Sequence, residues 1–380
     1  MGVEFESSPR PTLGVEWETV LVDRRTRDLA CAAAEVIEGV DLPPSEAGPR
    51  VQKELLRNTL EVVTGVHDTV AEVADDLRAT LDAVRRVADP MGLDLACSGT
   101  HPFARWDEQV VTDNPRYAEL LERTQWWGRQ MLIWGVHVHV GVSSVHKVLP
   151  LLNSMLNFYP HLQALSASSP YWTGIDTGFA SNRAQMFQQL PTAGLPFQFE
   201  RWEQFESYVD DMLVTGVVDG LSDVRWDIRP APRWGTLEVR VADGTPTMRE
   251  LRAVTALVHC LVVHLDDRLE AGEELPTMPP WHVQENKWRS SRYGLDAIVI
   301  TDAAGHERLV TEDLAEWLDR LEPVADRLGC RDDLALVADV PRRGASYQRQ
   351  RAVHDAAVAD GHPEPLHAVV DALVAEMREP

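Results

Sequence analysis

Several short segments of this chain place carboxylates, imidazoles and a guanidinium at every second position, between aliphatic residues. In TLGVEWETVLV (12–22), Glu16 and Glu18 face one way while Leu13, Val15, Trp17 and Leu21 face the other. In TLEVVT (59–64), Glu61 is flanked by Leu60 and Val62. GVHVHVGV (135–142) sets His137 and His139 opposite Val136, Val138 and Val140. TLEVRVADG (236–244) puts Glu238 and Arg240 on a face with Thr236, opposite Leu237, Val239 and Val241. A half-buried antiparallel sheet alternates in this way with water on its polar side. A merely solvated face would also carry Lys, Ser, Thr and Gln, and this one is almost wholly acid and imidazole. Carboxylates crowded on one sheet repel one another unless cations neutralise them. Oxygen donors with an imidazole and no thiolate suit Mg²⁺ or Mn²⁺.

The elements that must position these groups are legible from periodicity. Period-two patterns predict strands over 12–22, 59–64, 93–100 and 135–142. RWDIRP and TLEVRVADG form a further pair, whose short link Pro230–Gly235 predicts an antiparallel hairpin. In RWDIRP, Arg225, Asp227 and Arg229 share a face opposite Trp226 and Ile228. Apolar steps of three and four predict a helix over 68–89, closed by Asp89-Pro90. Further helices are expected near 116–132, 148–166, 203–213, 247–270, 284–293, 312–328 and 350–378. No repeat, low-complexity tract or clean linker interrupts the chain. A single domain over 1–380 is therefore expected, with the C-terminal helices of 305–380 belonging to it.

Composition narrows the function. The 380 residues hold 36 Lys and Arg against 60 Asp and Glu, a net charge of −24, which speaks against a nucleic-acid surface. The N-terminus lacks an apolar leader, and the longest uncharged stretch, 148–175, is broken by Pro150 and Pro160. No membrane partner and a cytoplasmic location are the expectation, with Cys31, Cys97, Cys260 and Cys330 as reduced structural thiols. GxxxxGK[ST], GxGxxG after a strand, HExxH and GxSxG are all missing. A bound nucleotide would thus have its phosphates held by metal ions and arginines. An HxH on a strand also opens metal hydrolases built on a β/α barrel, but there it lies near the start of the domain, ahead of regular β–α units.

Taken in order, a series of longer motifs resembles the bacterial glutamate–cysteine ligase type 2 family of carboxylate–amine ligases, related in fold to glutamine synthetase. They are TLGVEWE (12–18), the run from Glu54 to Glu61-Val-Val-Thr-Gly65, SGTHPFARW (98–106) and GVHVHVGV (135–142). LPxxGLPF (190–197), WDIRPxPRWGTLEVRVAD (226–243), ENKWRSSRYGLDA (285–297) and GASYQRQR (344–351) follow. The resemblance implies an α+β fold: a curved antiparallel sheet forming a funnel, helices on its convex face, ATP entering at one end and an amino acid at the other. It implies Mg²⁺ (or Mn²⁺) held by Glu16, Glu18, Glu54, Glu61, His137 and Glu238, with Arg240 and Glu61 catalytic. Arg240 would contact the transferring phosphate; Arg289 and Arg292, at i and i+3, could reach nucleotide or substrate phosphate. Arg183 is a candidate for a substrate carboxylate, and His139 for a substrate or supporting contact. Trp17 stands where the family often has a third acid, and its side of the strand predicts core packing.

The implied reaction is ATP-dependent amide formation between a carboxylate, by default the γ-carboxylate of glutamate, and an amine, by default cysteine. The partners are small amino-acid substrates, and the family habit suggests a homodimer. Two other readings stay open from the residues: a metal-dependent hydrolase using the same acidic face, and a non-catalytic nucleotide or metabolite sensor.

Overall fold

The structure, a computed structural model, describes residues 2–379. Its strands are β1 (Leu13–Asp23), β2 (Val51–Lys53), β3 (Thr59–Val63), β4 (Leu93–Ala96), β5 (Gly135–Gly141), β6 (Tyr171–Trp172), β7 (Ile175–Asp176), β8 (Ile228–Ala231), β9 (Thr236–Asp243), β10 (Ile298–Ile300) and β11 (Glu307–Leu309). Seven of them make one open sheet in the order β2–β3–β1–β5–β9–β8, with β4 pairing β1. Every pairing is antiparallel. β6–β7 and β10–β11 are separate two-stranded ribbons.

The two faces of β1 meet different cores. Leu13, Val15, Trp17 and Leu21 join the main cluster, with Val73, Leu77, Leu152, Leu257 and Leu261 from helices Val70–Ala88, Val145–Met155 and Met248–Glu270. Trp17 packs there as its strand side requires, and its indole N–H donates to Cys97 Sγ at 3.2 Å. On the other face Val20 and Val22, in phase with Glu16 and Glu18, join a second cluster. Leu132, Trp134, Val369, Val370 and Leu373 complete it, the last three from the C-terminal helix Pro365–Met377. That helix covers the apolar half of the polar face and leaves the acidic half open.

Local chemistry explains most element ends. Thr69 and Glu72 form a reciprocal capping box at the start of helix Val70–Ala88, and Gly92, with φ of 74°, ends the turn after it. The β8–β9 link is a short 3₁₀ turn, Pro232–Trp234, closed by Gly235 at φ 63°. The N-terminal segment crosses this turn as a strap: Glu6 N–H donates to Pro232 O (2.9 Å) and Ser8 N–H to Val142 O (2.9 Å).

Several helices differ from the periodicity reading. The segment 116–132 breaks at Gln125, whose φ is 47°, giving Pro115–Thr124 and Trp126–Arg129. The segment 350–378 is two helices, Ser346–Ala359 and Pro365–Met377, parted at Gly361-His362-Pro363, because glycine in a left-handed conformation and proline end the first. The segment 148–166 is likewise divided by a 3₁₀ turn at Leu156–Phe158. The strand predicted over 93–100 stays regular only to Ala96. Among the described residues no helix is long and apolar enough to cross a membrane.

Candidate active site

The site is set by strand register. Across β1 and β3, Glu18 lies opposite Glu61; across β1 and β5, Glu16 lies opposite His137. Across β5 and β9, His139 lies opposite Glu238, and across β8 and β9, Glu238 lies opposite Arg229. Because facing Cβ atoms in a ladder are about 4.5–5.5 Å apart, four strand pairings assemble one polar surface without help from loops. Glu54 joins it from the link between β2 and β3, its carboxylate accepting the Leu55 N–H at 2.8 Å.

Hydrogen bonds fix the orientation of these groups. Glu16 Oε2 pairs with His137 Nδ1 at 2.7 Å, and Glu16 Oε1 lies 3.3 Å from His139 Nε2. His139 Nδ1 meets Thr236 Oγ1 at 2.9 Å. Glu18 Oε2 accepts the Gly135 N–H at 2.5 Å. Glu238 is gripped by Arg229 (Nε to Oε2, 2.6 Å; Nη2 to Oε1, 3.2 Å) and by Arg240 (Nη1 to Oε1, 2.5 Å). Two triads, Glu16–His137–Glu238 and Glu18–Glu61–His137, each offer ligand atoms within 4.8 Å of one another. His137 Nε2 is buried with no hydrogen-bond partner. An imidazole oriented by a carboxylate at one nitrogen, with the other free among acids, is the arrangement of a metal-ligating histidine. The donor set therefore fits a hard divalent cation.

Protonation follows the crowding. Burial, followed by the charges of Glu16, Glu54 and Glu18, raises Glu61 well above the usual carboxylate range. Burial and Glu54 push Glu18 up to about 7, against the opposing charges of Arg183 and Arg240. Glu54 is raised as well, by burial first. Burial also acts on Glu238, yet Arg229, Arg240 and His139 hold it low; on Glu16 the hydrogen bonds of His137 and His139 outweigh burial. Burial and Arg240 lower His137 to about 4, so it is a neutral donor at neutral pH. Glu238 and Glu16 are held ionised by arginine or histidine partners, whereas Glu18, Glu54 and Glu61 are not.

Two cavities meet at this surface. The larger, about 740 Å³, lies between the N-terminal strap (Glu6–Thr12), the segment Ala47–Pro49 and the β8–β9 turn with Arg233 and Trp234; Glu16, Glu61 and His139 form its floor. The smaller, about 260 Å³, holds Glu16, Glu18, Glu54, Glu61 and His137, faced by Arg116, Tyr117, Arg225, Arg229, Arg240 and Phe187. Glu16 and Glu61 belong to both, so the acidic row is the shared wall.

The structure brings together Glu16, Glu18, Glu54, Glu61, His137, His139, Glu238 and Arg240. It places the remaining arginines elsewhere. Arg183 is buried beneath Gly135, where a Cβ would collide with its guanidinium, and it lines neither cavity; there it counters the charges of Glu18 and Asp243. Arg289 is engaged by Glu285 (2.8 Å) and Glu307 (2.5 Å), and Arg292 by the Gly178 carbonyl and the rings of Phe179 and Tyr293. Neither lines either of these cavities, because their helix, Pro280–Tyr293, packs against β10 and turns Arg292 to the Gly178 loop. Sequence reading missed Arg116 and Tyr117, which sit at the start of the short helix Pro115–Thr124. It also passed over Arg225 and Arg229, although their shared face with Asp227 was the signal.

Comparison with known proteins shows the family. The family model described as "Glutamate-cysteine ligase family 2" matches residues 12–369. A relative from Nocardia farcinica, named "Putative glutamate--cysteine ligase 2-2", is 64% identical over 99% of this chain and 98% of its own length. One of the same name from Rhodococcus jostii is 63% identical over 99% of this chain and 100% of its own. Among solved structures, glutamate–cysteine ligase from Francisella tularensis in complex with AMP superposes with a TM-score of 0.70 at 13% identity, covering 99% of this chain and 90% of that one. A bifunctional glutathione synthetase from Pasteurella multocida gives 0.65 at 15% identity, over 97% of this chain and 53% of that one. At such identities the likeness is one of fold, and it is the fold expected from the sequence. From its register-built acidic face to its sequence relatives, this chain belongs to the glutamate–cysteine ligase family 2.

Proposed function

We propose that the protein is an ATP-dependent carboxylate–amine ligase that joins the γ-carboxylate of glutamate to the amine of cysteine through an acyl phosphate. The observation that carries this reading is the acidic row shared by two cavities of unequal size. A cavity of about 740 Å³ suits a nucleotide, and one of about 260 Å³ with several guanidinium groups suits an amino acid and its activated form. Family membership and the names of the relatives support the donor and the amine.

A carboxylate resists attack by an amine, so it must first be given a leaving group. Phosphoryl transfer needs in-line positioning and cancellation of charge on the equatorial oxygens. Glu16, His137 and Glu238 on one side, and Glu18, Glu54 and Glu61 on the other, would hold Mg²⁺, which when bound would supply positive charge against the nucleotide's phosphates. Arg240, fixed by Glu238, lines the smaller cavity beside the acidic row and stabilises the transferring phosphoryl group. Arg229 completes the charge balance at Glu238, which leaves that acid ionised for binding a cation. Arg116 and Arg225 share one counter-ion, Asp223, and offer a surplus positive charge to a substrate carboxylate. The amine then attacks the acyl carbon, the bond to the phosphate oxygen breaks, phosphate departs, and the proton lost from nitrogen passes to a carboxylate of the site or to the departing phosphate as the amide forms.

The test is incubation with ATP, Mg²⁺, glutamate and a panel of amines including cysteine, read by mass spectrometry and phosphate release. Amide and phosphate in equal amounts, dependent on ATP, support the ligase. ATP-independent turnover with zinc in the purified protein would instead establish a hydrolase.

A further inference from the structure

Behind the arginines of the smaller cavity lies a charged pair that takes no direct part in the ligase chemistry. Lys287, on helix Pro280–Tyr293, is 1% exposed, and its Nζ lies 2.6 Å from Asp227 Oδ2. Asp227 is 5% exposed and also accepts the phenol O–H of buried Tyr159 at 3.1 Å. The ammonium sits 5.6 Å from the centre of the Tyr159 ring. Taking an ammonium and a carboxylate out of water costs several kcal/mol per ion, and apolar residues of the same size are often as stable in such a place. A pair kept there has something to hold.

What it holds is the backbone between the arginines. The Asp227 carbonyl accepts the Arg240 N–H at 2.8 Å, just beyond the last register pair of β8 and β9, Ile228 with Val239. The Asp227 N–H donates to Gly194 O at 2.8 Å, which ties the same residue to the loop on its other side. Arg225 and Arg229, two residues away in either direction, both line the smaller cavity. One side chain thus anchors the point from which Arg225, Arg229 and Arg240 diverge, and regular ladder pairing has already ended there.

We infer that Lys287, acting through Asp227, is a positioning residue that sets the placement of Arg240 against the transferring phosphoryl group. The inference rests on the ligase reading of Arg240. It belongs to the transition state rather than to nucleotide capture, because the Lys287–Asp227 pair lines neither cavity.

The experiment compares Lys287→Met, Asp227→Asn and the double variant, each by thermal unfolding and by kcat and ATP KM of amide formation. Lys287→Met leaves a buried carboxylate without its cation, so its unfolding midpoint falls; removing both charges in the double variant restores it. The expected result is a double variant with wild-type stability, ATP KM within about twofold of wild type and kcat lowered about tenfold or more, since small misplacements of catalytic groups cost this much. Wild-type kcat in the stable double variant would overturn the inference and leave a structural pair. If the double variant does not fold, Asp227→Asn alone decides: it retains an oxygen acceptor for Lys287, and a lowered kcat at unchanged KM supports the inference while wild-type kcat overturns it. Arg240→Gln is the control. Full turnover in that variant removes the reading of Arg240 itself, whereas an inactive Arg240→Gln beside a fully active double variant removes only the role of Lys287.

Discussion

Glu18 on β1 stands directly across the ladder from Glu61 on β3, carboxylate facing carboxylate, and both titrate above the usual carboxylate range. Like charges opposite one another destabilise a sheet. On the proposed reading a cation relieves this repulsion when both carboxylates are ionised. It yields a prediction that separates binding from folding. Glu61→Gln removes the repulsion, so the metal-free protein should melt a few degrees higher than wild type. The same variant should lose the rise in melting temperature that Mg²⁺ gives wild type, along with nearly all turnover. Calorimetric melts with and without Mg²⁺ check both halves.

The pH dependence of that metal effect has a definite sign. Glu18 moves from an ordinary value of 4.5 to about 7 in the metal-free fold, through burial and the charge of Glu54. Between those values the folded state binds more protons than the unfolded one, so this group's contribution to the stability of the metal-free protein falls as pH rises across the window. A divalent cation favours the ionised form and must displace the proton below about pH 7. The Mg²⁺-induced rise in melting temperature should therefore be larger at pH 8 than at pH 6. An equal rise at both values would mean that Glu18 is no ligand.

Arg240 lines the smaller cavity and pairs with Glu238, which is also held by Arg229. Arg240→Gln should cost about 10²–10³ in kcat, comparable to losing a donor to transition-state charge, with a much smaller change in ATP KM. Arg240→Lys should recover little, because a point charge cannot reproduce the planar fork. Steady-state kinetics with saturating glutamate and cysteine measure both.

The larger cavity owes one wall to a glycine. Gly235 has φ of 63°, and a Cβ there would strike the Glu6 carbonyl of the N-terminal strap. Gly235→Ala should destabilise the fold by about 1–3 kcal/mol, the usual cost of forcing extra volume into a packed site. If the strap walls a nucleotide site, the same variant should raise ATP KM more than the KM of either amino acid. Unchanged ATP KM in a strap-displaced variant would place the nucleotide elsewhere.

Most of the site was legible before any coordinates, for a simple reason. Strand alternation is a strict period of two, so Glu16, Glu18, Glu61, His137, His139, Glu238 and Arg240 declared their common face in one dimension, and Trp17 declared the opposite one. Which strands pair was not legible in the same way: of the four pairings that build the site only β8–β9 is a hairpin. Helical neighbours carry no such signal. Arg116 and Tyr117 reach the cavity from a helix whose sequence pattern is set by exposure. Arg289 and Arg292 shared a plausible helical face, but which way that face turns depends on packing of helix Pro280–Tyr293 against Tyr159–Ser166, which no local pattern encodes. Arg183 shows the same limit: its loop reads as polar, yet tertiary packing buries it under Gly135. The break at Gln125 was missed because apolar residues continue on both sides of it; that at Gly361 was missed although Gly361, Pro363 and Pro365 stand in the sequence as helix breakers.

The central claim is that ATP activates a carboxylate, and oxygen transfer tests it most directly. Glutamate labelled with ¹⁸O in its γ-carboxylate is incubated with ATP, Mg²⁺, cysteine and the enzyme, and the released phosphate is analysed by mass spectrometry. Passage through an acyl phosphate requires the bond between the acyl carbon and its bridging oxygen to break, so one labelled oxygen should appear in each phosphate formed with the amide. Amide accompanied by phosphate free of label would contradict the account.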